Sequence, residues 1–237
     1  MLSNYWLIFV ILAGAAFISV MTRKLTPGAG ITGWIAGLLI FAGAGYAGVA
    51  MIATFFVLGT GATSWGVSVK QKLGLAERDK GRRTSGQVAA NAGAAAILGL
   101  LAMFYAEHAD LFRFMMAAGI ASAAADTLSS ELGNVYGRNF YNIITLKKDT
   151  RGLDGVISLE GTLIGVFGSV IIALVFALFY QFNILFLFII FAGTFGNLSD
   201  SILGATLERK GYLSNNAVNL LNTAIAALFS MLLFRIK

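Results

Sequence analysis

Apolar residues gather along this chain in eight blocks, each of about 17 to 25 residues, the length a helix needs to cross a bilayer core. They fall at residues 5–21, 30–45, 48–66, 86–106, 112–134, 156–180, 184–206 and 216–234. The pattern predicts an all-α fold: a polytopic transmembrane helical bundle of about eight spans, with no soluble domain. Residues 1–237 then form a single integral membrane domain, in which 1–66 supply N-terminal spans and 83–222 a motif-bearing core. Only Gly43-Ala44-Gly45-Tyr46-Ala47-Gly48 separates the second block from the third. Either it is a tight turn between two helices, or both blocks belong to one long kinked helix. The first block has no basic leader and no small-residue cleavage site, so it reads as a retained helix.

Composition sharpens this picture. The chain is 58% hydrophobic, with 28 Gly and one Pro, as expected for helices that approach closely through small residues where lipid gives no hydrophobic drive for association. Cysteine is absent, which excludes disulfides and thiolate metal sites. Any metal must take oxygen ligands or His108, and His108, in a short acidic loop, is given no role. Charge fixes the orientation. Of 17 Lys and Arg residues, 14 lie in the connections after the first, third, fifth and seventh blocks. These are Arg23 and Lys24; Lys70, Lys72, Arg78, Lys80, Arg82 and Arg83; Arg138, Lys147, Lys148 and Arg151; Arg209 and Lys210. The positive-inside rule makes those loops cytoplasmic and sets both termini on the other side of the cell membrane. Arg235 and Lys237 break the pattern mildly.

Two acids interrupt the fifth block, Asp126 and Glu131 in the run Ala121 to Asn134. A carboxylate at the bilayer centre costs about 2.5 to 3.5 kcal/mol, so intramembrane acids face a wet cavity, a partner or a cation. On a helix the two lie about 140° apart, with Ser130 and Asn134 between them and Ser122 on the flank of Asp126. Each acid tied to a neighbouring helix for packing alone is the structural alternative. Asp126 lies about 21 Å along a core of about 30 Å, and Asp200 in the seventh block about 24 Å by the same rise per residue. Both belong to a faint repeat in which Gly119 and Gly193 each precede an aspartate by seven residues. Parallel helices with acids at one depth can face each other.

Further polar clusters collect at the same end. Arg82-Arg83-Thr84-Ser85-Gly86-Gln87 opens the fourth block, with Asn91 a turn inside; Arg138 and Asn139 follow the fifth. Gly152-Leu153-Asp154-Gly155 leads into the sixth, which begins with Ser158, Glu160 and Thr162, and Asn215, Asn216, Asn219 and Asn222 begin the eighth. Taken singly these are topology signals, turns and helix caps. Together, acids beneath a rim of basic and amide groups suit a phosphate bound through a divalent metal: carboxylates hold Mg²⁺, and guanidinium forks and helix N-termini hold phosphate oxygens.

At these residues the chain resembles a known family, the integral membrane proteins that include plant phytyl-phosphate kinase and a widespread, largely uncharacterised transmembrane group. The motifs are Arg83 with Gln87-Val88-Ala89-Ala90-Asn91, Ala125-Asp126-Thr127 with Glu131-Leu132-Gly133, Asp154-Gly155-Val156 with Ser158 and Gly161-Thr162, and Asp200-Ser201 with Leu203-Gly204-Ala205. They run from Arg83 to Asn219, and the Leu25-Thr26 and Gly37 region fits loosely. Leu153 stands where the family often has Thr, and Glu208 where Gln commonly ends the Asp-Ser motif. The resemblance implies phosphoryl transfer from a nucleoside triphosphate, CTP, to a prenyl monophosphate such as phytyl phosphate, giving the diphosphate.

On this reading Asp126, Glu131 and Asp200 are the expected Mg²⁺ ligands, and with Arg83 they form the catalytic set. Arg82, Arg83, Arg138 and Lys148 are expected to clamp phosphate, and Gln87, Asn91, Asn134, Ser201 and Asn219 to position it; Asp154, Gly155 and Ser158 join the substrate site through the family motif. The expected partners are CTP, a prenyl-phosphate lipid and the membrane itself, with no nucleic acid. Three other readings stay open: a transporter whose acids couple to a cation or proton, a lipid-binding or assembly protein with no chemistry, and a CTP-dependent lipid cytidylyltransferase.

Overall fold

The computed structural model describes residues 2–76 and 78–236. The side chains of Arg78 and Lys80, counted above among the loop cations, and Lys237 lie outside the described residues. The helices are α1 (Leu2–Met21), α2 (Pro27–Ser64), α3 (Val67–Lys72), α4 (Ser85–Phe104), α5 (Ala109–Tyr136), α6 (Leu159–Tyr180), α7 (Ile184–Leu203) and α8 (Asn215–Phe234). Six of them are long and apolar enough to cross a membrane, and Trp6–Met21 is a shorter apolar helix.

At 38 residues, α2 would span about 57 Å if straight, roughly twice a bilayer core. It folds back on itself instead. Gly45 has φ +57° and ψ −147°, a conformation that only glycine adopts without strain, and the second arm returns far enough for Lys24 Nζ to meet Ser64 Oγ at 3.2 Å. The second and third apolar blocks are therefore two crossings joined at the glycine-rich turn. Counting both arms of α2 and the shorter α1, the described helices give about eight apolar segments, in approximate agreement with the hydrophobic pattern.

The central helix is α5. Every residue from Phe114 to Ala125 is buried, as befits a helix apolar on all sides, and α2, α4, α6, α7 and α8 pack around it. The bundle has two ends. At one, Arg113 Nε donates to Gly43 O (2.8 Å) and Tyr180 Oη to Ala44 O (3.5 Å). The other gathers the basic loops: Leu25 bridges to Arg83, Lys70 pairs with Glu131, and Arg209 with Asp149. Here the apolar pattern missed two small features. Tyr141–Asn142 pairs antiparallel with Val156–Ile157, and α7 continues through a π-helical turn, Gly204–Glu208. Both are too short to leave a periodic signature.

Candidate functional site

A polar cavity of about 240 Å³ opens at the basic end of the bundle, between α4, α5, α6, α7 and α8. Its floor is made by α5 and α7, which run parallel and pack closely. A Cβ on Gly193 would lie 2.9 Å from Ala121 Cβ, and one on Gly196 would strike Ser122, so only glycine permits this approach. The resulting register sets Asp126 against Asp200, whose carboxyl groups meet. Asn222 Nδ2 donates to Asp200 Oδ1 at 2.9 Å, and Ser122 Oγ donates to Asn222 Oδ1 at 2.7 Å. One chain of hydrogen bonds thus ties α5, α8 and α7 around the pair. Beside it Ser129 Oγ donates to Asn197 Oδ1 at 3.1 Å.

Two more carboxyl groups approach the pair from above. The π-helical turn brings Glu208 into electrostatic contact with Asp126, Asp154 and Asp200, with Asn215 as its hydrogen-bond partner. Asp154 is carried by the loop before α6. At Gly155, φ is +71° and a Cβ would collide with Ala205 and the Ser201 carbonyl, so glycine lets this loop lie on the end of α7. Arg209 Nε donates to the Asp154 carbonyl. Outside the spans, the same arginine pairs with Asp149 at 2.9 Å. The Thr150 amide first, and then Arg209, hold the Asp149 carboxyl below its usual range.

Positive charge and helix N-termini supply the opposite wall. Arg83 is fixed through its backbone: its N–H donates to Lys24 O and its carbonyl accepts from Thr26 N, both at 3.0 Å. Its guanidinium lies over Gly59 and 5.3 Å from the Phe55 ring centroid. A capping box of Thr84 and Gln87 starts α4, Ser158 caps α6, and Ser214 caps α8. Gln87, Ser158, Asn215 and Asn219 bring these three starts to the cavity wall, where free amides and helix dipoles favour an anion. One turn into α4, Asn91 Nδ2 donates to Gln87 O at 2.9 Å, while Asn91 Oδ1 is buried without a hydrogen-bond partner.

Of the residues singled out in the sequence, Arg83, Gln87, Asn91, Asp126, Glu131, Asn134, Asp154, Gly155, Ser158, Asp200, Ser201 and Asn219 line this cavity. Arg82, Arg138 and Lys148 do not. Arg82 Nε is engaged by Leu25 O at 3.1 Å, and Arg138 and Lys148 are exposed. Glu131 reaches the lining but not the aspartate pair: Lys70 Nζ binds its Oε2 at 2.5 Å and Thr63 Oγ1 its Oε1 at 3.1 Å. The expected three-carboxylate cluster of Asp126, Glu131 and Asp200 is therefore not formed, and no other group of three metal-ligating side chains is present among the described residues.

The chain belongs to the family of integral membrane protein DUF92. That family's model matches residues 10–227. Among relatives, the chain is similar to Protein VTE6, chloroplastic, of Arabidopsis thaliana, at 32% identity over 207 residues. That alignment covers 84% of this chain and 62% of VTE6, so the chain spans less than two thirds of that relative. An uncharacterized membrane protein of Synechocystis is 32% identical over 231 residues, covering 94% of this chain and 88% of the relative. One from Methanocaldococcus jannaschii is 34% identical over 207 residues, covering 87% and 83%. No solved structure matches the chain.

In this DUF92 chain Asn197, Glu208 and Lys70 are site or partner residues that the sequence does not single out as such, and Asn222, one of the amides that begin the eighth block, proves to be the partner of Asp200. Asn215, Asn219 and Asn222 form one stripe on α8, a legible signal, and Glu208 follows Asp200 by two helical turns. Lys70, by contrast, reads in sequence only as one of many loop cations.

Proposed function

We propose that this chain is a prenyl-phosphate kinase that acts at the cytoplasmic face of a membrane, transferring the γ-phosphoryl group of a nucleoside triphosphate, CTP, to a prenyl monophosphate. The observation that carries this reading is the pairing of Asp126 with Asp200 in the same cavity as Arg83 and three helix N-termini. Two carboxylates in contact repel unless a proton or cation lies between them, and hard carboxyl oxygens beside a phosphate site suit Mg²⁺, which takes one or two carboxylates and completes its shell with phosphate and water. Asp126 and Asp200 would hold the ion, with Glu208 and Asp154 adding negative potential. Once bound, it would neutralise charge on the nucleotide phosphates.

The chain's own residues supply alignment. Arg83 and the N-termini of α4, α6 and α8 hold phosphate oxygens, and the Asn222–Ser122 chain keeps the Asp200 carboxyl in place. The acceptor phosphate is largely dianionic at neutral pH. One of its oxygens attacks the γ-phosphorus, the bond to the β–γ bridging oxygen breaks, and the nucleoside diphosphate leaves with that electron pair. Such transfer depends on positioning and charge more than on a strong base, in keeping with a cavity lined by carboxylates and amides. The resemblance to the phytyl-phosphate kinase family supports a prenyl acceptor.

Purified protein incubated with Mg²⁺, CTP and prenyl monophosphates is expected to yield prenyl diphosphate and CDP, with loss of turnover on EDTA treatment and in Asp126→Asn. Release of inorganic diphosphate would instead identify a cytidylyltransferase. No turnover with any acceptor, together with substrate flux in liposomes, would overturn the kinase in favour of a transporter.

A further inference from the structure

A second cavity, of about 170 Å³, lies between α1, both arms of α2 and α4, and it shares Arg83 and Asn91 with the polar site. Its character is opposite. The walls are apolar, from Leu12 and Trp34 to Ile52, Phe56 and Val88. Ser19, also in the lining, turns its hydroxyl back to Ala15 O of its own helix at 2.7 Å, which leaves Arg83 and Asn91 as the polar end. From that end the groove follows α2 from Gly30 to Gly37 and α1 from Ser19 to Leu12, seven residues each, or about 10 Å. We infer that this groove receives the hydrocarbon chain of an isoprenoid phosphate, with the phosphate end held at Arg83 and Asn91 where the groove meets the polar cavity.

Three observations favour that occupant. The two cavities share a guanidinium in their linings, the group suited to a phosphate. Asn91 Oδ1, buried and unpartnered in the lining that the two cavities share, is an acceptor that a phosphate-bound water satisfies. The remaining lining is apolar, and at Gly33 a Cβ would meet only Val88 Cγ1, so the helix backbone borders open space there. This inference names the acceptor subsite of the proposed kinase and rests on that reading for its phosphate; the apolar groove itself is independent of it.

Gly33 gives the test. A Cβ there meets only Val88 Cγ1, at 3.8 Å, so Gly33→Ala is accommodated and Gly33→Phe projects into the groove. Protein in nanodiscs is labelled with a diazirine-bearing geranylgeranyl phosphate, the labelled peptides are mapped, and turnover is measured with dimethylallyl and geranylgeranyl phosphates. Label is expected in residues 27–37 and 49–56 and is expected to fall about tenfold in Gly33→Phe. KM for geranylgeranyl phosphate should rise by a similar factor in that variant, with dimethylallyl phosphate little affected, since each lost methylene contact weakens binding severalfold. Gly33→Ala, which adds a single methyl, should raise that KM less than Gly33→Phe does, and if Gly33→Phe does not fold, Gly33→Val and the wild-type label map decide. Label confined to α6–α8, or unchanged long-chain KM in a folded variant, would overturn the groove while leaving the kinase intact. Groove labelling without turnover of any prenyl phosphate would keep the groove and remove the kinase.

Discussion

One helix carries two acids with opposite fates, Glu131 buried and Asp126 half-buried. On α5, Glu131 is closed off: Lys70, itself 1% exposed, binds its carboxylate and also donates to the Ala62 and Thr63 carbonyls at the end of α2, at 3.0 and 2.8 Å. Every donor of that ammonium has an acceptor, and the pair seals α3 against α2 and α5. Five residues earlier Asp126 meets another acid, Asp200, with Glu208 and Asp154 nearby and a cavity above it. A compensated buried charge holds a fold together. Acids packed against acids make sense when something positive arrives from outside.

The sharpest way to break the contrast is to remove its structural half. Lys70→Met leaves Glu131 buried without its partner, expected to cost about 3 to 5 kcal/mol of stability, whereas Lys70→Met with Glu131→Leu should regain much of it. Denaturation in detergent reads both, and equal losses in the single and double variants would show that the pair is not what seals the fold. For the other half, Asp126→Asn or Asp200→Asn is expected to lower turnover by about 10² to 10³-fold, the usual scale for removing an electrostatic group from a reaction centre, while thermal stability changes little. A large drop in stability at normal turnover would place this pair with Glu131 and Lys70. Asn222→Leu removes the hydrogen bond that orients Asp200, and a loss of about 10-fold in turnover, with a raised Mg²⁺ requirement, is expected of such a supporting contact.

The smallest effect concerns the loop above the site. Because the Asp149 carboxyl is held below its ordinary value of 3.8 by Thr150 and Arg209, its stabilising contribution is complete above that value and is lost as pH falls through the lowered one. Asp149→Asn should therefore be slightly less stable than the native chain at neutral pH, with the gap constant down to about pH 5 and closing only in stronger acid. A gap that changed between pH 6 and 8 would mean that another group controls this loop.

Much of this was legible in the chain. Runs of apolar residues fixed the crossings, and the glycine-rich run at Gly43–Gly48 already contained the reversal that Gly45 makes. The equal depth of Asp126 and Asp200 followed from counting residues, because rise per residue is constant along a helix. The partner of Glu131 was not legible. Lys70 lies 61 positions away in a loop where six Lys and Arg residues follow one another, and nothing local distinguishes the one that turns inward. For the same reason Arg82, Arg138 and Lys148 looked equivalent to Arg83, although only Arg83 is pinned by backbone pairing to residues 24–26 and reaches the cavity.

By itself the sequence determined what must be satisfied within each segment: which stretches are apolar enough to cross lipid, where helices begin, which glycines allow a turn, and that acids at one depth need an explanation. Periodicity, caps and hydropathy are local, so one strand of text contains them. Only the tertiary structure decided which charge meets which. The close approach of α5 and α7 made one acid pair, the inward turn of Lys70 made an ion pair of the other, and folding α2 back beside α1 and α4 made an apolar groove that ends at Arg83. These pairings depend on angles and registers between helices far apart in the chain, and they are set by the packing of all the helices at once.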